Sequence, residues 1–577
     1  MRRYIMGCKN RKKNYPLYET TVFEDFRIMT ENVARKYPDR IAFSFRRTPK
    51  DADVVHVTYA QARDHIRNLG TGMIELGCRD CQCALLGEAS YDWMCSYISL
   101  MAMGAVTVPV DKELPPDDII GILNHSETRF VFYAPSIEEK INALRDKLTF
   151  AEKFICLGAT DAEWATELED VARRGESLVA GGDTSYYDYE IDPNRLASIV
   201  FTSGTTGKGK GVMLSQTNIV SDMTQGMYNF QITDKTMFVL PPHHTYGSTV
   251  NLVGHFAQGC EIYISSGIRY LLNEMKEQQP THLILVPLFV ETLYKRIWQT
   301  AEKSGKADVM RKAMKISGAL RKVGIDVSRS LFKEVLSAFG GKLQMVICGG
   351  AALNQNIIDT FEAFGIIILN GYGISECAPL VSSNRNEYRK AGSVGCPING
   401  EQVKIHEPDE NGEGEICVKG TNVMLGYYKD PEATAAVLDE EGFFHTGDWG
   451  KLDEEGWIYI TGRIKNIIIL SNGKNVYPEE IEFEIQGVPG VNEVIVYAGE
   501  SKNEKREVIV AEIYPDAEEL EKRGITDTRA YFTEEIRKIN ARMAPYKAVG
   551  HIKLRSEEFV KNTSRKILRF SLDKSVD

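Results

Sequence analysis

The densest cluster of ligand-binding chemistry is residues 199–211, Ile-Val-Phe-Thr-Ser-Gly-Thr-Thr-Gly-Lys-Gly-Lys-Gly. An apolar, β-branched run over 196–201 predicts a buried strand, and it breaks abruptly into hydroxyls, glycines and lysines. Gly204, Gly207, Gly209 and Gly211 let backbone approach a ligand closely. The hydroxyls of Thr202, Ser203, Thr205 and Thr206, the exposed N–H groups, and the charges of Lys208 and Lys210 suit a polyphosphate. Residues 204–210 match the front of G-x-x-x-x-G-K, but that loop continues with a Ser or Thr that binds Mg²⁺, and here Gly211 follows. The cradle therefore belongs to another design.

Other chemistry follows in order along the chain. Gly349-Gly350-Ala351-Ala352-Leu353 is a turn after an apolar run. Gly371-Tyr372-Gly373-Ile374-Ser375-Glu376 offers a flat ring for a base and a carboxylate, a hard oxygen ligand for Mg²⁺. His445-Thr446-Gly447-Asp448 presents a carboxylate able to accept two hydroxyls at once. Gly462-Arg463-Ile464-Lys465-Asn466 is a basic junction. Residues 561–569, Lys-Asn-Thr-Ser-Arg-Lys-Ile-Leu-Arg, form a cationic stretch near the C-terminus.

In this order the stations resemble the adenylate-forming superfamily of acyl-CoA synthetases, peptide-synthetase adenylation domains and beetle luciferases. Thr202-Ser203-Gly204-Thr205-Thr206-Gly207 with Lys210-Gly211-Val212 resembles its phosphate loop. Gly209 stands for the usual Pro, and Gln216 for the usual His. By this resemblance Ser203 to Gly207, with Lys210, hold phosphates. Gly349, Gly350 and Ala351 line the adenine and acyl pocket. Tyr372 stacks on adenine beside Gly373 and Ser375, with Ser375 replacing Thr. Asp448 and Arg463 meet ribose or phosphate, and Lys465 is the hinge of a small mobile domain. Gly473, in 471–482, passes the thiol arm. Catalysis is implied for Lys566, Glu376, Thr202 and His244, with Glu376 also the Mg²⁺ ligand. Within 561–569, Arg565 replaces the family Gly and Asn562 its Thr. The implied reaction converts a carboxylic acid and ATP to an acyl-adenylate, then transfers the acyl group to coenzyme A. The 471–482 segment is most similar to bacterial long-chain fatty acid–CoA ligases. Residues 243–251 hold no acidic side chain to pair a substrate ammonium. Loading of an acyl carrier protein, activation of an aryl or medium-chain acid, and a regulator that binds nucleotide without catalysis are the alternatives.

These stations need a scaffold. Apolar runs at 83–86, 106–110, 130–133 and 154–157 alternate with helical patterns, the signature of an α/β architecture with a largely parallel sheet. Ligands then sit at the carboxyl ends of strands, where residues 202, 349 and 371 fall. Residues 160–193 look like a polar connection, and 303–341 a charged helical elaboration of the surface. Beyond 391 the texture becomes short strands with Gly-rich turns. The resemblance implies stacked, mostly parallel sheets plus a distorted β-barrel in a large domain over 1–462, and a small α+β domain over 463–577.

Composition narrows the class. The chain has 577 residues, 43% hydrophobic and 26% charged, with a formal net charge of −11. That is too long for one core and too acidic for a nucleic-acid partner. Eleven cysteines without a framework fit a reducing, cytoplasmic setting. Cys78-Arg-Asp-Cys81-Gln-Cys83 lacks a second ligand pair for zinc. Residues 94–110 read as a buried helix running into a strand rather than a membrane span. A basic N-terminus gives a basis for peripheral membrane contact. The expected assembly is a monomer or homodimer.

Overall fold

The computed structural model describes residues 17–202, 209–470, 474–501, 507–561, 567–569, 572 and 574–576. The chain divides into two compact units. One runs up to Val403 and includes Val418–Phe444 and Glu454–Trp457; the other holds Lys404–Cys417, His445–Asp453 and the chain from Ile458 onward.

The first unit is built on strands apolar on both faces. Its largest sheet orders Gly426–Tyr427, Lys210–Ser215, Leu196–Thr202, Val106–Val110, Gln82–Leu86, Phe130–Tyr133, Lys153–Cys156 and Ala165–Glu167. The pairs from Leu196–Thr202 to Ala165–Glu167 are parallel, and Lys210–Ser215 turns back antiparallel. Continuous apolar runs are what a sheet covered on both faces requires. A second sheet sets His282–Leu285, Met345–Cys348 and Ile367–Gly373 in parallel, with Leu380–Ser383 antiparallel at the side. A third pairs Lys235–Phe238 and Ile41–Phe45 parallel to Glu261–Ile264.

Helices start where local chemistry caps them. Ser215 Oγ accepts from Asn218 N at 3.0 Å, and Asn218 Oδ1 accepts from Ser215 N at 2.8 Å. This reciprocal box launches Gln216–Asn229 directly from the phosphate-loop hairpin. The expected run over 94–110 is the buried helix Tyr91–Met103 followed by the strand Val106–Val110. Cys78, Cys81 and Cys83 are buried around the turn after Gly77, as a helix-to-strand passage.

Two expectations are corrected. Residues 160–193 are not a plain connection: they hold Leu168–Ala180, a helix with Leu168, Val171, Ala172 and Gly175 buried. It packs by glycines. A Cβ at Gly175 would lie 1.7 Å from Asn68 O, and one at Gly72 would lie 2.1 Å from Val171 O. The short strands beyond 391 form an open order rather than a distorted barrel. Gln402–His406, Gly414–Lys419, Phe444–Leu452 and Ile458–Arg463 follow one another with no closing pair among the described residues. Four strands are too few to close around a filled interior.

The second unit has its own core. Val491–Ser501 and Glu507–Pro515 pair antiparallel, His551–Leu554 adds in parallel, and Ile481, Ile485, Phe532 and Ile536 pack against this sheet. Among the described residues no helix is long and apolar enough to cross a membrane.

Candidate active site

In the first unit the phosphate-loop hairpin closes on a narrow neck. Thr202 pairs with Lys210 and Phe201 with Gly211. A Cβ at Gly209 would stand 2.9 Å from Thr202 O, and one at Gly211 2.9 Å from Ile199 Cγ2. A side chain at either position would make its neighbour shift, so the neck is closed as tightly as it is because both residues are glycine. Ser203, Gly204, Thr205, Thr206 and Gly207 lie outside the described residues.

Lys210 leaves the neck toward an aromatic ring. Its Nζ is 4.6 Å from the centroid of Tyr427, whose short strand pairs with the hairpin, Tyr427 opposite Val212. The other end of Tyr427 reaches Glu376: the phenol donates to Glu376 Oε1 at 2.9 Å. Met424 N donates to Glu376 O at 2.8 Å. Burial, and then the Glu376 charge, hold the Tyr427 phenol well above its ordinary range, so it stays a donor. One ring therefore joins the phosphate-loop lysine to the expected Mg²⁺ ligand.

The remaining residues of this half sit at strand ends. Ile367–Gly373 runs farther than its apolar stretch and carries Tyr372, buried opposite Ser382. A Cβ at Gly373 would lie 2.2 Å from Pro379 O. Ser375 then opens the turn Ser375–Cys377 that presents Glu376. Gly349, Gly350 and Ala351 follow Met345–Cys348, with Gly350 at φ +89°. Beneath them Tyr246 donates its hydroxyl toward Ile347 O at 3.2 Å and Leu285 O at 3.3 Å. A Cβ on Gly349 would press on the Tyr246 ring at 3.3 Å. Tyr246 begins a π-helical stretch, Tyr246–Val253, a form that recurs at functional sites. His244, just before it, accepts from Tyr246 N on Nδ1 at 3.2 Å. His243 Nε2 stands 3.5 Å from Asp111 Oδ2. Burial lowers the pKa of His243 against the pull of Asp111.

The second unit positions its residues by strand register. Asp448 on Phe444–Leu452 pairs with Arg463 on Ile458–Arg463. Arg463 Nε lies 2.7 Å from Asp448 Oδ1, and Asp448 is buried. The turn before it is braced from Gly414–Lys419. Glu415 Oε2 meets His445 Nδ1 at 2.7 Å, Gly447 N donates to Glu415 Oε1 at 3.0 Å, and Thr446 Oγ1 donates to Ile416 O at 2.7 Å. Asp448 N then donates to Thr446 Oγ1 at 3.0 Å. Lys465 falls in the turn Ile464–Asn466, its pKa lowered by burial and then by Arg463. Gly473 and Lys566 lie outside the described residues.

Sequence reasoning passed over Tyr427, Glu415 and Tyr246. Glu415 and Tyr427 lie in Gly-Glu-Ile and Gly-Tyr-Tyr, segments without a chemical cluster of their own. Tyr246 was in view only as a neighbour of His244.

Comparison with known proteins gives the chain's family and fold. The family described as AMP-binding enzyme matches residues 30–428. Long-chain-fatty-acid–[acyl-carrier-protein] ligase AEE15 of Arabidopsis thaliana is 29% identical, over 85% of this chain and 76% of its own. Long-chain-fatty-acid–CoA ligase 1 of Homo sapiens is 30% identical, over 81% of this chain and 71% of its own. The crystal structure of ATP-bound MatB from Rhodopseudomonas palustris superposes with a TM-score of 0.73 at 23% identity, over 95% of this chain and 98% of that one. At that identity the likeness speaks for the fold. With the family match spanning well over half of its length, the chain belongs to the AMP-binding enzyme family.

Proposed function

We propose that this AMP-forming acid–thiol ligase activates a fatty acid and passes the acyl group to coenzyme A. The observation that carries the reading is the Lys210–Tyr427–Glu376 cluster at the neck of a glycine- and threonine-rich loop. It sets a cation over the face of one ring and an anionic oxygen ligand at its hydroxyl. The names of relatives about equally similar to this chain favour a long-chain acid, and they divide between coenzyme A and a carrier protein as acceptor.

A carboxylate is a poor acyl donor, because its leaving group would be oxide. One carboxylate oxygen attacks the α-phosphorus of ATP, the bond to the bridging oxygen breaks, and pyrophosphate leaves. The acyl carbon then carries AMP as leaving group. A thiolate attacks that carbon, AMP departs with the electron pair, and a thioester remains. The Thr202–Gly207 loop and Lys210 hold phosphates, and Lys566 meets the charge that builds on the α-phosphate. Glu376 suits Mg²⁺: among the described residues its carboxylate meets a neutral phenol and no cation, so its negative charge is left for an ion. Bound there, the ion would neutralise phosphate charge. Arg463 spans both oxygens of Asp448 and so orients a carboxylate, the group suited to accept from two ribose hydroxyls. In this reading residues 1–462 and 463–577 act as a large and a small domain, Lys465 is the hinge, and Gly473 faces the thiol in the second step.

The test is a panel of carboxylic acids, short, aryl, medium- and long-chain, assayed for pyrophosphate release with and without coenzyme A. Long-chain acids should release pyrophosphate, and coenzyme A should convert the adenylate to thioester. No acid-dependent release with any member would end the reading; release with thioester formed only on a carrier protein would change the acceptor.

A further inference from the structure

The helix Ala307–Lys322 carries two apolar stripes, and its fold uses one. Met310, Ala313 and Met314 face the core of the first unit. About a third of a turn away, Val309, Ile316 and Val323 recur at intervals of seven residues and line a second face. They are 66%, 56% and 71% exposed, and Ile325 in the turn beyond is 52% exposed. Exposed apolar side chains scattered singly are ordinary, whereas a row along one face marks an interaction surface.

Charge identifies the occupant. Residues 303–342 hold ten Lys or Arg and three Asp or Glu, net +7, in a chain whose total is −11. The three acids are already engaged by Lys306, Arg311 and Arg321. Lys312 lies within the exposed apolar stripe and Lys315 beside it. Among the described residues neither has an acidic partner. A face with aliphatic side chains at its centre and unneutralised lysines at its edge matches the interface of an anionic bilayer. Nucleic acid would meet the lysines but leave the aliphatic row in a wet, polar contact.

We propose that this face docks on an anionic phospholipid surface, with Val309, Ile316, Val323 and Ile325 entering the headgroup boundary and Lys312 and Lys315 against phosphates. The proposal rests on the fatty-acid reading only for its purpose, since a lipid surface is where such an acid dissolves.

The test needs no catalysis. The full chain is floated with vesicles of phosphatidylcholine alone and of phosphatidylcholine with phosphatidylglycerol. Wild type should bind the mixed vesicles and lose binding as salt rises. Lys312→Glu with Lys315→Glu should weaken it by about tenfold or more, and Ile316→Ser with Val323→Ser should do the same on an unchanged charge. Both pairs are on the surface, and an unchanged melting temperature together with an unchanged circular dichroism spectrum shows that each variant is folded. Binding indifferent to phosphatidylglycerol, equal binding by both variants, or a lysine-dependent complex with an acidic carrier protein in place of vesicles would overturn it. Failure of the acid panel would leave vesicle binding untouched, so the two readings fall separately.

Discussion

The carboxylates that each unit contributes are held in opposite ways. Glu376, in the first, takes a hydrogen bond from a neutral phenol, while Lys210 lies over the face of that ring. Asp448, in the second, is buried against a guanidinium that spans both its oxygens. An acid that must attract a metal ion cannot be neutralised by a protein cation, whereas one that only accepts hydroxyls gains orientation from it. The contrast is what the two proposed roles demand, and each part can be broken separately.

The largest effect is expected outside both carboxylates. Lys566→Ala should lower adenylate formation by roughly 10²–10³-fold, the scale of removing one donor to developing charge. Thioester formation from supplied acyl-adenylate should survive. Gly473→Leu should do the reverse. Single-turnover assays of the two half-reactions read both, and a parallel loss in either variant would remove the division of labour between the steps.

Tyr427→Phe attacks the contrast directly. It deletes the hydroxyl on Glu376 and keeps the ring that Lys210 approaches. A hydrogen bond to a charged group contributes about 1.5–3 kcal/mol, so kcat for pyrophosphate release should fall by roughly ten- to a hundredfold, with a raised Mg²⁺ requirement. An unchanged Mg²⁺ dependence would mean that Glu376 is held by its backbone alone.

The same contrast explains what the sequence disclosed. Parallel strands such as Val106–Val110 and Met345–Cys348 announce themselves because both faces are apolar, and that placed Gly349 at a strand end; Gly371 instead continues its strand and pairs with Ser383. The expected phosphate loop stands out in the sequence because its chemistry is contiguous. The pairing of Asp448 with Arg463 was not, since it is set by register between strands. Nor was Tyr427, which reaches Glu376 across many residues of sequence. Leu168–Ala180 was missed for a different reason. Its apolar stripe, Leu168, Val171 and Ala172, is short and set among charged residues, and its contact is completed by Gly72 and Gly175, whose missing side chains let two backbones meet. Residues 247–257 read as a helix, but the wider π turn of Tyr246–Val253 has no signature in composition.

The smallest expected effect on catalysis comes where the first unit goes furthest from pairing acids with cations. Asp222 and Glu401 are both buried. Asp222 Oδ1 accepts from Leu380 N at 2.8 Å, but neither Oδ2 nor either oxygen of Glu401 has a hydrogen-bond partner. Burial first, and then Asp222, raise the Glu401 pKa from an ordinary 4.5 to about 9; burial likewise raises Asp222. Between those values the folded chain holds a proton that the unfolded chain has released. Stability is therefore full below the unfolded value and falls as pH rises, by about 1.4 kcal/mol per pH unit crossed, levelling off above the folded value. Glu401→Gln cannot ionise, so it should match wild type near pH 4 and be the more stable protein near pH 8, with kcat unchanged. Urea unfolding at several pH values measures the slope. If it persists in Glu401→Gln and disappears in Asp222→Asn, the proton that sets the slope resides on Asp222. If it persists in both, the buried pair does not govern stability, and the first unit neutralises its interior acids as the second does.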